Sequence, residues 1–205
     1  MRGKFIVFEG IDGCGKGTQL KKVHSYLWNL SKEIDIYSTR EPTRAHKEIR
    51  KRMAEGTDVK KDARWYAAKF VEDRWNHIRT LVKPAIERGV VVLCDRYVLS
   101  TLAYQHTQGM NLNELIKMHK GLLIPDLTII FDCPAKIAFE RRRKDGAPDV
   151  FDRDLEFQEK LRDNYTKIKH LLERGSKCKN IVIVDGSKSV DEVFLEAKKH
   201  VEKLF

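Results

Sequence analysis

Residues 10–18 read Gly10-Ile11-Asp12-Gly13-Cys14-Gly15-Lys16-Gly17-Thr18, and they stand between a short apolar run and a long amphipathic stretch. The spacing GxxxxGK between a predicted strand and a predicted helix is that of a phosphate-binding loop. The glycines let the backbone turn with its N–H groups pointing inward, and the following helix adds the positive end of its dipole. Lys16 supplies a mobile ammonium group for the β- and γ-phosphates. The segment therefore predicts a site for a nucleoside triphosphate.

Short apolar runs rich in β-branched residues recur along the chain and predict five strands, at residues 5–8, 34–37, 90–93, 127–131 and 181–184. Three of these runs are nearly continuous in apolar residues, which is typical of parallel strands covered on both faces. Helical periodicity marks segments between them, among them 18–30, 65–78, 155–172 and 190–205. We therefore expect an α/β three-layer sandwich, a five-stranded parallel sheet flanked by helices, in one domain over residues 1–205.

The charge balance favours anionic partners, because 40 Lys and Arg against 30 Asp and Glu give a formal net charge of +10. No apolar run approaches the roughly 18–20 residues that a membrane span needs. The N-terminus has no signal-peptide layout, so we expect a cytoplasmic protein without a membrane partner. The four cysteines (Cys14, Cys94, Cys133 and Cys178) are scattered, which argues against zinc and against a disulfide framework.

Polar residues follow the second and third predicted strands, where open α/β sheets bind ligands. Asp95 could hold a metal ion or water, and Arg96 could make a forked contact to a phosphate; the alternative for both is a surface ion pair or a helix cap. Arg40 and Arg44 follow the second strand. This edge of the sheet is therefore a candidate binding site.

Phe70 and Arg74 lie four residues apart in a predicted helix and so share a face. Together they could stack on a base and bond its edge, although a core position is the alternative for Phe70.

The basic run Arg141-Arg142-Arg143-Lys144 opens a breaker-rich segment. It reads either as a solvated helix end or as a mobile lid, at about 141–152, that excludes water from a phosphoryl transfer. The phosphate loop upstream favours the lid.

Taken together, these motifs resemble the thymidylate kinase family. The resemblance rests on residues 8–13, 40–42, 70 with 74, 95–97 with 100 and 103–105, 125–127, the basic lid and 185–187, which span nearly the whole chain. It implies the P-loop nucleoside monophosphate kinase fold and transfer of the γ-phosphoryl group of ATP to dTMP, giving dTDP and ADP with Mg²⁺. It also implies a homodimer.

The resemblance further implies roles for individual residues. Lys16 and the amides of residues 10–18 would hold ATP, and Asp12 would lie near the acceptor sugar and the metal. The implied dTMP contacts are Arg96, Arg40 and Arg44 on the phosphate, Phe70 and Arg74 on the base, Ser100 and Thr101 on its polar edge, Tyr104 behind the deoxyribose, and Gln158 near the acceptor. Since the acceptor phosphate is already ionised at neutral pH, no general base is expected.

Two departures from the family pattern matter. Gly17 stands where the family normally has Ser or Thr, so either Thr18 takes over contact with Mg²⁺, or the ion is held mainly through water and carboxylates, of which Asp95 is a candidate. The loop also lacks the catalytic arginine that some members carry. The transition-state cation should then come from Arg141, Arg142 or Arg143, with Arg143 placed first.

Other functions remain open from the sequence. Adenylate kinase shares the Gly17-Thr18 version of the loop but not the Asp-Arg-Tyr segment. A deoxynucleoside kinase would need a carboxylate base after the first strand, whereas Asp12 lies inside the loop. A nucleic-acid-binding protein would rest on charge alone, because no basic stripe interleaved with aromatic residues is present, so we expect no nucleic-acid partner.

Overall fold

The fold is a parallel sheet covered by helices on both faces, as seen in a computed structural model that describes residues 2–54, 62–145, 155–174 and 180–205. The strands are β1 (Phe5–Glu9), β2 (Ile36–Arg40), β3 (Val91–Asp95), β4 (Leu127–Asp132) and β5 (Ile181–Asp185). They lie in the order β2-β3-β1-β4-β5 and every pairing is parallel. The expected α/β sandwich is confirmed, and each strand begins within two residues of its predicted start.

Nine helices and one π-helical turn occur in the described residues. They are α1 (Lys16–Leu30), α2 (Lys47–Ala54), α3 (Ala63–His77), the π turn (Ile78–Val82), α4 (Lys83–Glu87), α5 (Val98–Thr107), α6 (Leu112–Met118), α7 (Ala135–Asp145), α8 (Leu155–Arg174) and α9 (Val190–Glu202). The four segments predicted as helical correspond to α1, α3, α8 and α9. A capping box of Ser189 and Glu192 starts α9, because each side chain bonds the other's backbone N–H.

The central strand β1 is buried on both faces. Ile6 and Phe8 point into one apolar cluster with Val23 of α1, whereas Phe5 and Val7 point into the other. Strand side chains alternate between faces, so continuous burial requires a helical layer on each side. This arrangement explains the unbroken apolar run of β1.

The phosphate loop and the polar residues after β2 and β3 all lie at the carboxyl edge of this sheet, because its strands are parallel. Of the expected lid at about 141–152, residues 146–152 lie outside the described residues, as does Cys178. The lid and the single domain over 1–205 stay predictions. None of the helices in the described part of the chain combines the length and the apolar character that crossing a membrane requires.

Candidate active site

The phosphate loop connects the end of β1 to α1, which begins at Lys16. Gly10, Gly13 and Gly15 have φ angles of 135°, 84° and 96°, values that side chains disfavour. The ammonium group of Lys16 is folded over its own loop, where Nζ donates to the carbonyl oxygen of Ile11 at 2.9 Å. The loop therefore has the concave backbone that a phosphate group needs, with the cation inside it.

The loop is packed tightly against its neighbours. A Cβ at Gly13 would collide with the carbonyl oxygen of Ala138 in α7, and one at Gly10 would lie 2.6 Å from the carbonyl oxygen of Phe131 in β4. Around Gly17, by contrast, none of the described residues that could obstruct it comes within 4 Å of an added Cβ. Two of the loop glycines are thus required by packing as well as by backbone conformation.

Cys14 is buried in this loop, with Sγ 3.8 Å from Nζ of Lys16. Burial raises the pKa of the Cys14 thiol, which keeps it neutral. Its carbonyl oxygen lies 3.1 Å from the place that a Cβ would take at Gly186, in the turn after β5. The residue fills space and supplies backbone atoms.

Asp12 forms an ion pair with Arg96, which follows β3. Nη2 of Arg96 donates to Oδ1 of Asp12 at 2.5 Å, and the hydroxyl of Tyr104 donates to Oδ2 at 2.8 Å. Burial opposes ionisation of Asp12, but the charges of Arg96 and Lys16 outweigh it and hold the pKa of the carboxyl well below its ordinary value. Asp12 is therefore an anion at neutral pH.

The buried carboxylate of Glu9 holds the start of α5 in place. Oε1 of Glu9 accepts from the backbone N–H groups of Tyr97 and Ser100 at 2.8 and 3.2 Å. Oε2 accepts from the hydroxyls of Ser100 and Tyr165 at 2.6 and 3.2 Å. Burial raises the pKa of Glu9, against the opposing effect of these hydrogen bonds and of Arg96. The sequence reasoning gave Glu9 no role, although an acid ending an otherwise apolar strand was an available signal.

A first cavity brings together seven of the residues expected to bind dTMP: Asp12, Phe70, Arg74, Arg96, Ser100, Thr101 and Tyr104. They come from the phosphate loop, α3, α5 and the segment before α5. The ring of Phe70 is stacked on Tyr66, with centroids 5.8 Å apart. The pair of Asp12 and Arg96 lines the same cavity. We call this cavity the acceptor cleft.

Arg74 is 2% exposed, and all three nitrogens of its guanidinium form hydrogen bonds with other residues. Nε donates to Oε2 of Glu41 at 2.6 Å, and Nη2 donates to the carbonyl oxygen of Tyr97 at 2.9 Å. Both Nη atoms lie 3.2 Å from Oγ1 of Thr101, and Nη1 lies 2.8 Å from Nε2 of His119. Sequence reasoning placed Arg74 at the base but identified neither Glu41 nor His119.

Glu41, His77 and Cys94 form a buried cluster whose potential ligand atoms lie within 4.8 Å of one another. Both oxygens of Glu41 are already bonded, Oε1 to Nδ1 of His77 at 2.9 Å and Oε2 to Arg74. Burial raises the pKa of the Cys94 thiol well above its ordinary value, which keeps it neutral. With the Arg74 cation adjacent, the cluster is a hydrogen-bond network rather than a metal site.

A second cavity lies beside the first and is lined by Gly17, Thr18, Arg40, Arg44 and Asp95 together with other residues of α1 and β2. Arg40 and Arg44 are exposed there. Oδ1 of Asp95 is buried and has no hydrogen-bond partner in the described part of the chain. The three arginines expected on one phosphate thus border two neighbouring cavities, with Arg96 in the acceptor cleft.

The remaining predicted residues lie farther from these cavities. Gln158 is buried on α8 and lines neither. Arg141 donates from Nη1 and Nη2 to the carbonyl oxygens of Gly186 and Ser187 at 2.8 and 3.3 Å. Arg143 is exposed near the end of α7. Arg141 is thus bound to the turn after β5, whereas Arg143 faces solvent.

Comparisons with known proteins all find similarity to the same family. The family model described as "Thymidylate kinase" matches residues 8–197. A "Probable thymidylate kinase" from Pyrococcus abyssi is 37% identical over 200 residues, 94% of this chain and 93% of that protein. A "Thymidylate kinase" from Geobacillus sp. is 38% identical and covers 95% of this chain and 93% of its own length. The crystal structure of thymidylate kinase from Ehrlichia chaffeensis superposes with a TM-score of 0.76 at 25% identity, covering 98% and 99% of the two chains.

Proposed function

The chain belongs to the thymidylate kinase family, and on this premise we propose that it transfers the γ-phosphoryl group of ATP to dTMP, releasing dTDP and ADP. In this proposal the phosphate loop binds the donor, and the acceptor cleft binds the monophosphate. Both lie at the carboxyl edge of the sheet, the usual ligand edge of open α/β folds.

One observation carries the proposal: Arg96 belongs to both sites. Its guanidinium lines the acceptor cleft, donates to Asp12 of the phosphate loop at 2.5 Å, and lies 3.5 Å from the carbonyl oxygen of Gly10. A phosphate bound by Arg96 is therefore held next to the loop that carries the donor. Phosphoryl transfer depends mainly on such alignment and on neutralised charge.

The cleft has the features that a nucleoside monophosphate requires. In our proposal the ring of Phe70 stacks on thymine, Arg74 donates to its 4-oxo group, and Tyr104 lies behind the deoxyribose. Arg96 binds the phosphate, with Arg40 and Arg44 approaching from the neighbouring cavity. Because the attacking oxygen belongs to an ionised phosphate, the residues need only orient it, and no general base is required.

On the donor side, Lys16 and the loop amides bind the triphosphate oxygens. Nζ of Lys16 donates to the carbonyl oxygen of Ile11, and in our proposal it donates to a phosphate oxygen instead when ATP binds. Arg143 is the arginine that we assign to the transition state, since Arg141 is bound to backbone carbonyls. The lid at about 141–152 would then exclude water.

Mg²⁺ fits the second cavity. The buried Oδ1 of Asp95 lacks a hydrogen-bond partner among the described residues, and a carboxylate oxygen is the ligand that Mg²⁺ prefers. Asp95 and the hydroxyl of Thr18 are the groups that we propose for the ion, in place of the hydroxyl that Gly17 cannot provide. When bound with ATP, the ion would neutralise phosphate charge.

We also propose that the protein acts in the cytoplasm as a homodimer. The family resemblance is the ground for the dimer; Trp75 of α3, which is 42% exposed, and Ile124 before β4, which is 54% exposed, are large apolar side chains that a partner subunit would cover. Light scattering coupled to size-exclusion chromatography tests it, with a mass of about twice 23.9 kDa expected.

A coupled ADP-release assay across dTMP, dUMP, AMP and CMP tests the proposed reaction. We expect dTMP and dUMP to give a higher kcat/KM than AMP and CMP, because the cleft offers a donor to a 4-oxo group, which thymine and uracil carry and adenine and cytosine lack. Turnover with AMP but not with dTMP would contradict the proposal and favour an adenylate kinase.

A further inference from the structure

The guanidinium of Arg74 uses all five of its N–H donors on the protein. Nε bonds Glu41, the outer Nη2–H bonds the carbonyl of Tyr97, and the outer Nη1–H bonds His119, at 2.6, 2.9 and 2.8 Å. The two inner N–H groups share Oγ1 of Thr101 at 3.2 Å each. Because these last two bonds are the longest, a ligand oxygen can displace one of them most easily.

The protonation state of His119 follows from its partners. Nδ1 lies 2.7 Å from the carbonyl oxygen of Leu115, which can only accept, so Nδ1 carries the proton. Nε2 is then a lone pair facing Nη1 of Arg74 at 2.8 Å. Burial and the neighbouring Arg74 charge lower the pKa of His119 to about 3, which agrees with a neutral ring. One turn of α6 thus fixes the tautomer that accepts from Arg74.

His119 is not part of the cleft wall, whereas Arg74, Glu41 and Thr101 are. His119 bonds Arg74 from outside the lining of the cleft. It follows α6, a helix that contains none of the expected site residues. The anchors of Arg74 come from four separate segments: the loop after β2, the residue before α5, α5 itself and the end of α6. Losing one anchor frees an N–H and lets the guanidinium turn.

We propose that His119 is a positioning residue for recognition of the pyrimidine base, because its Nε2 fixes Arg74 so that a ligand oxygen meets the N–H edge shared with Thr101, which also lines the acceptor cleft. This inference rests on the proposed function, in which Arg74 meets the base. A fixed N–H edge binds a 4-oxo group and repels a 4-amino group, so His119 contributes to selection of a thymine or uracil ring over cytosine.

Two substitutions distinguish the role of His119 as a hydrogen-bond acceptor for Arg74 from the role of its other contacts. His119→Gln keeps an amide oxygen as acceptor within reach of Arg74, whereas His119→Met has similar length and only a weakly accepting thioether sulfur; both remove the bond to Leu115. We expect His119→Met to raise the KM for dTMP about tenfold, as for one lost hydrogen bond, and to reduce the preference for dTMP over dCMP. The KM for ATP and kcat should stay within about twofold of wild type. His119→Gln should stay within about threefold for dTMP.

Equal effects of the two substitutions, or unchanged dTMP parameters in His119→Met, would overturn the inference. A structural role alone would lower the melting temperature of both without changing the ratio of dTMP to dCMP. A double-mutant cycle with Arg74→Lys adds a further check, since His119 should have little effect once Arg74 is replaced.

A measurement on the wild-type protein covers the case in which His119→Met does not fold. Nitrogen-15 NMR should show the Nδ1–H tautomer of His119, with an Nε2 resonance that shifts when dTMP is added but not when ATP alone is added. An Nε2 resonance unaffected by saturating dTMP would overturn the inference. Wild-type turnover with dTMP is assayed separately, so failure of the proposed function is distinguished from failure of the role of His119.

Discussion

Arg96 and Asp12 form an ion pair of 2.5 Å between residues 84 positions apart in the chain, and this pair joins the acceptor cleft to the phosphate loop. Arg96 has a φ of 74°, in the left-handed region that a side chain rarely adopts. The backbone N–H of Arg96 donates to the carbonyl of Phe8 at 2.9 Å, and that of the next residue, Tyr97, to Glu9 at 2.8 Å. Strand β1 therefore holds Arg96 in this conformation and directs its guanidinium to the loop.

Replacing Arg96 by Gln should lower kcat by about two to three orders of magnitude, as for loss of a charge-stabilising donor. The substitution removes the cation between the two sites and leaves Asp12 with less compensation for its burial. The coupled ADP-release assay measures the effect. Arg88→Gln, an exposed arginine after α4, is the matched control and should behave as wild type. Near-normal turnover of Arg96→Gln would refute the assigned role.

Lys16→Ala should abolish most of the turnover, by about three orders of magnitude, while the fold persists. Nζ of Lys16 bonds Ile11, Cys14 and Asp12, all within the phosphate loop, so its removal breaks no hydrogen bond or ion pair between the helices and strands that the structure describes. Activity and the thermal unfolding midpoint are the two measurements. Lys32→Ala, at an exposed lysine after α1, serves as the control for loss of one surface charge. A large fall in the unfolding midpoint of Lys16→Ala would show that its role is structural instead.

Gly13→Ala and Gly17→Ala should change stability in opposite directions. At Gly13 a Cβ meets the backbone of Ala138 and φ is 84°, so we expect a loss of roughly 2 kcal/mol or more in the free energy of unfolding. At Gly17 the space is open and the backbone is helical, so alanine should add about 0.5–1 kcal/mol. Urea denaturation measures both. Equal stabilities of the two variants would contradict the packing of α7 on the loop.

Arg141→Gln and Arg143→Gln should affect different kinetic constants. Arg141 bonds the carbonyls of Gly186 and Ser187, in a turn that packs on the phosphate loop at Cys14, so its loss should raise the KM for ATP. Arg143 is exposed and assigned to the transition state, so its loss should lower kcat by roughly tenfold or more. Steady-state kinetics with ATP varied at saturating dTMP distinguishes them. If Arg141→Gln lowers kcat and leaves the KM for ATP unchanged, the roles are reversed.

The stability of the wild-type protein should depend on pH through His119. Its pKa is lowered to about 3 in the folded protein by burial and by Arg74, against an ordinary value near 6.5. Below about pH 6.5 the unfolded chain binds a proton that the folded protein excludes, so stability falls as pH falls. Between about pH 7 and pH 5.5 this amounts to roughly 1 kcal/mol.

Urea unfolding of wild type and His119→Gln at both pH values isolates this contribution, because the other titrating groups are common to the two proteins. The wild type should lose roughly 1 kcal/mol more than the variant on acidification. Parallel pH dependence in the two proteins would mean that His119 titrates normally in the folded state.

The secondary structure was predictable because it is encoded locally. Nearly continuous apolar runs such as that of β1 indicated strands covered on both faces, and the periodicity of α1 and α9 indicated amphipathic helices. The short helices α4 and α6 were not predicted. At five and seven residues they are too short for a periodic pattern to be distinct.

The acceptor cleft was predictable in part. Arg96 and Tyr104 could be placed at it because they follow a strand of a parallel sheet, and all such strands end at one edge. The anchors of Arg74 could not be found in the same way. Glu41 and His119 lie 33 residues before and 45 residues after it, and no spacing rule connects them.

By itself the sequence determined the five strands, the longer amphipathic helices, the phosphate loop between β1 and α1, and the family, because these depend on short-range patterns of glycine, charge and hydrophobicity. Only the tertiary structure decided which groups meet: Arg96 with Asp12, Glu9 with the start of α5, and His119 with Arg74. The physical reason is that a buried charge must find its partners wherever the packed helices and strands bring them, irrespective of their distance along the chain.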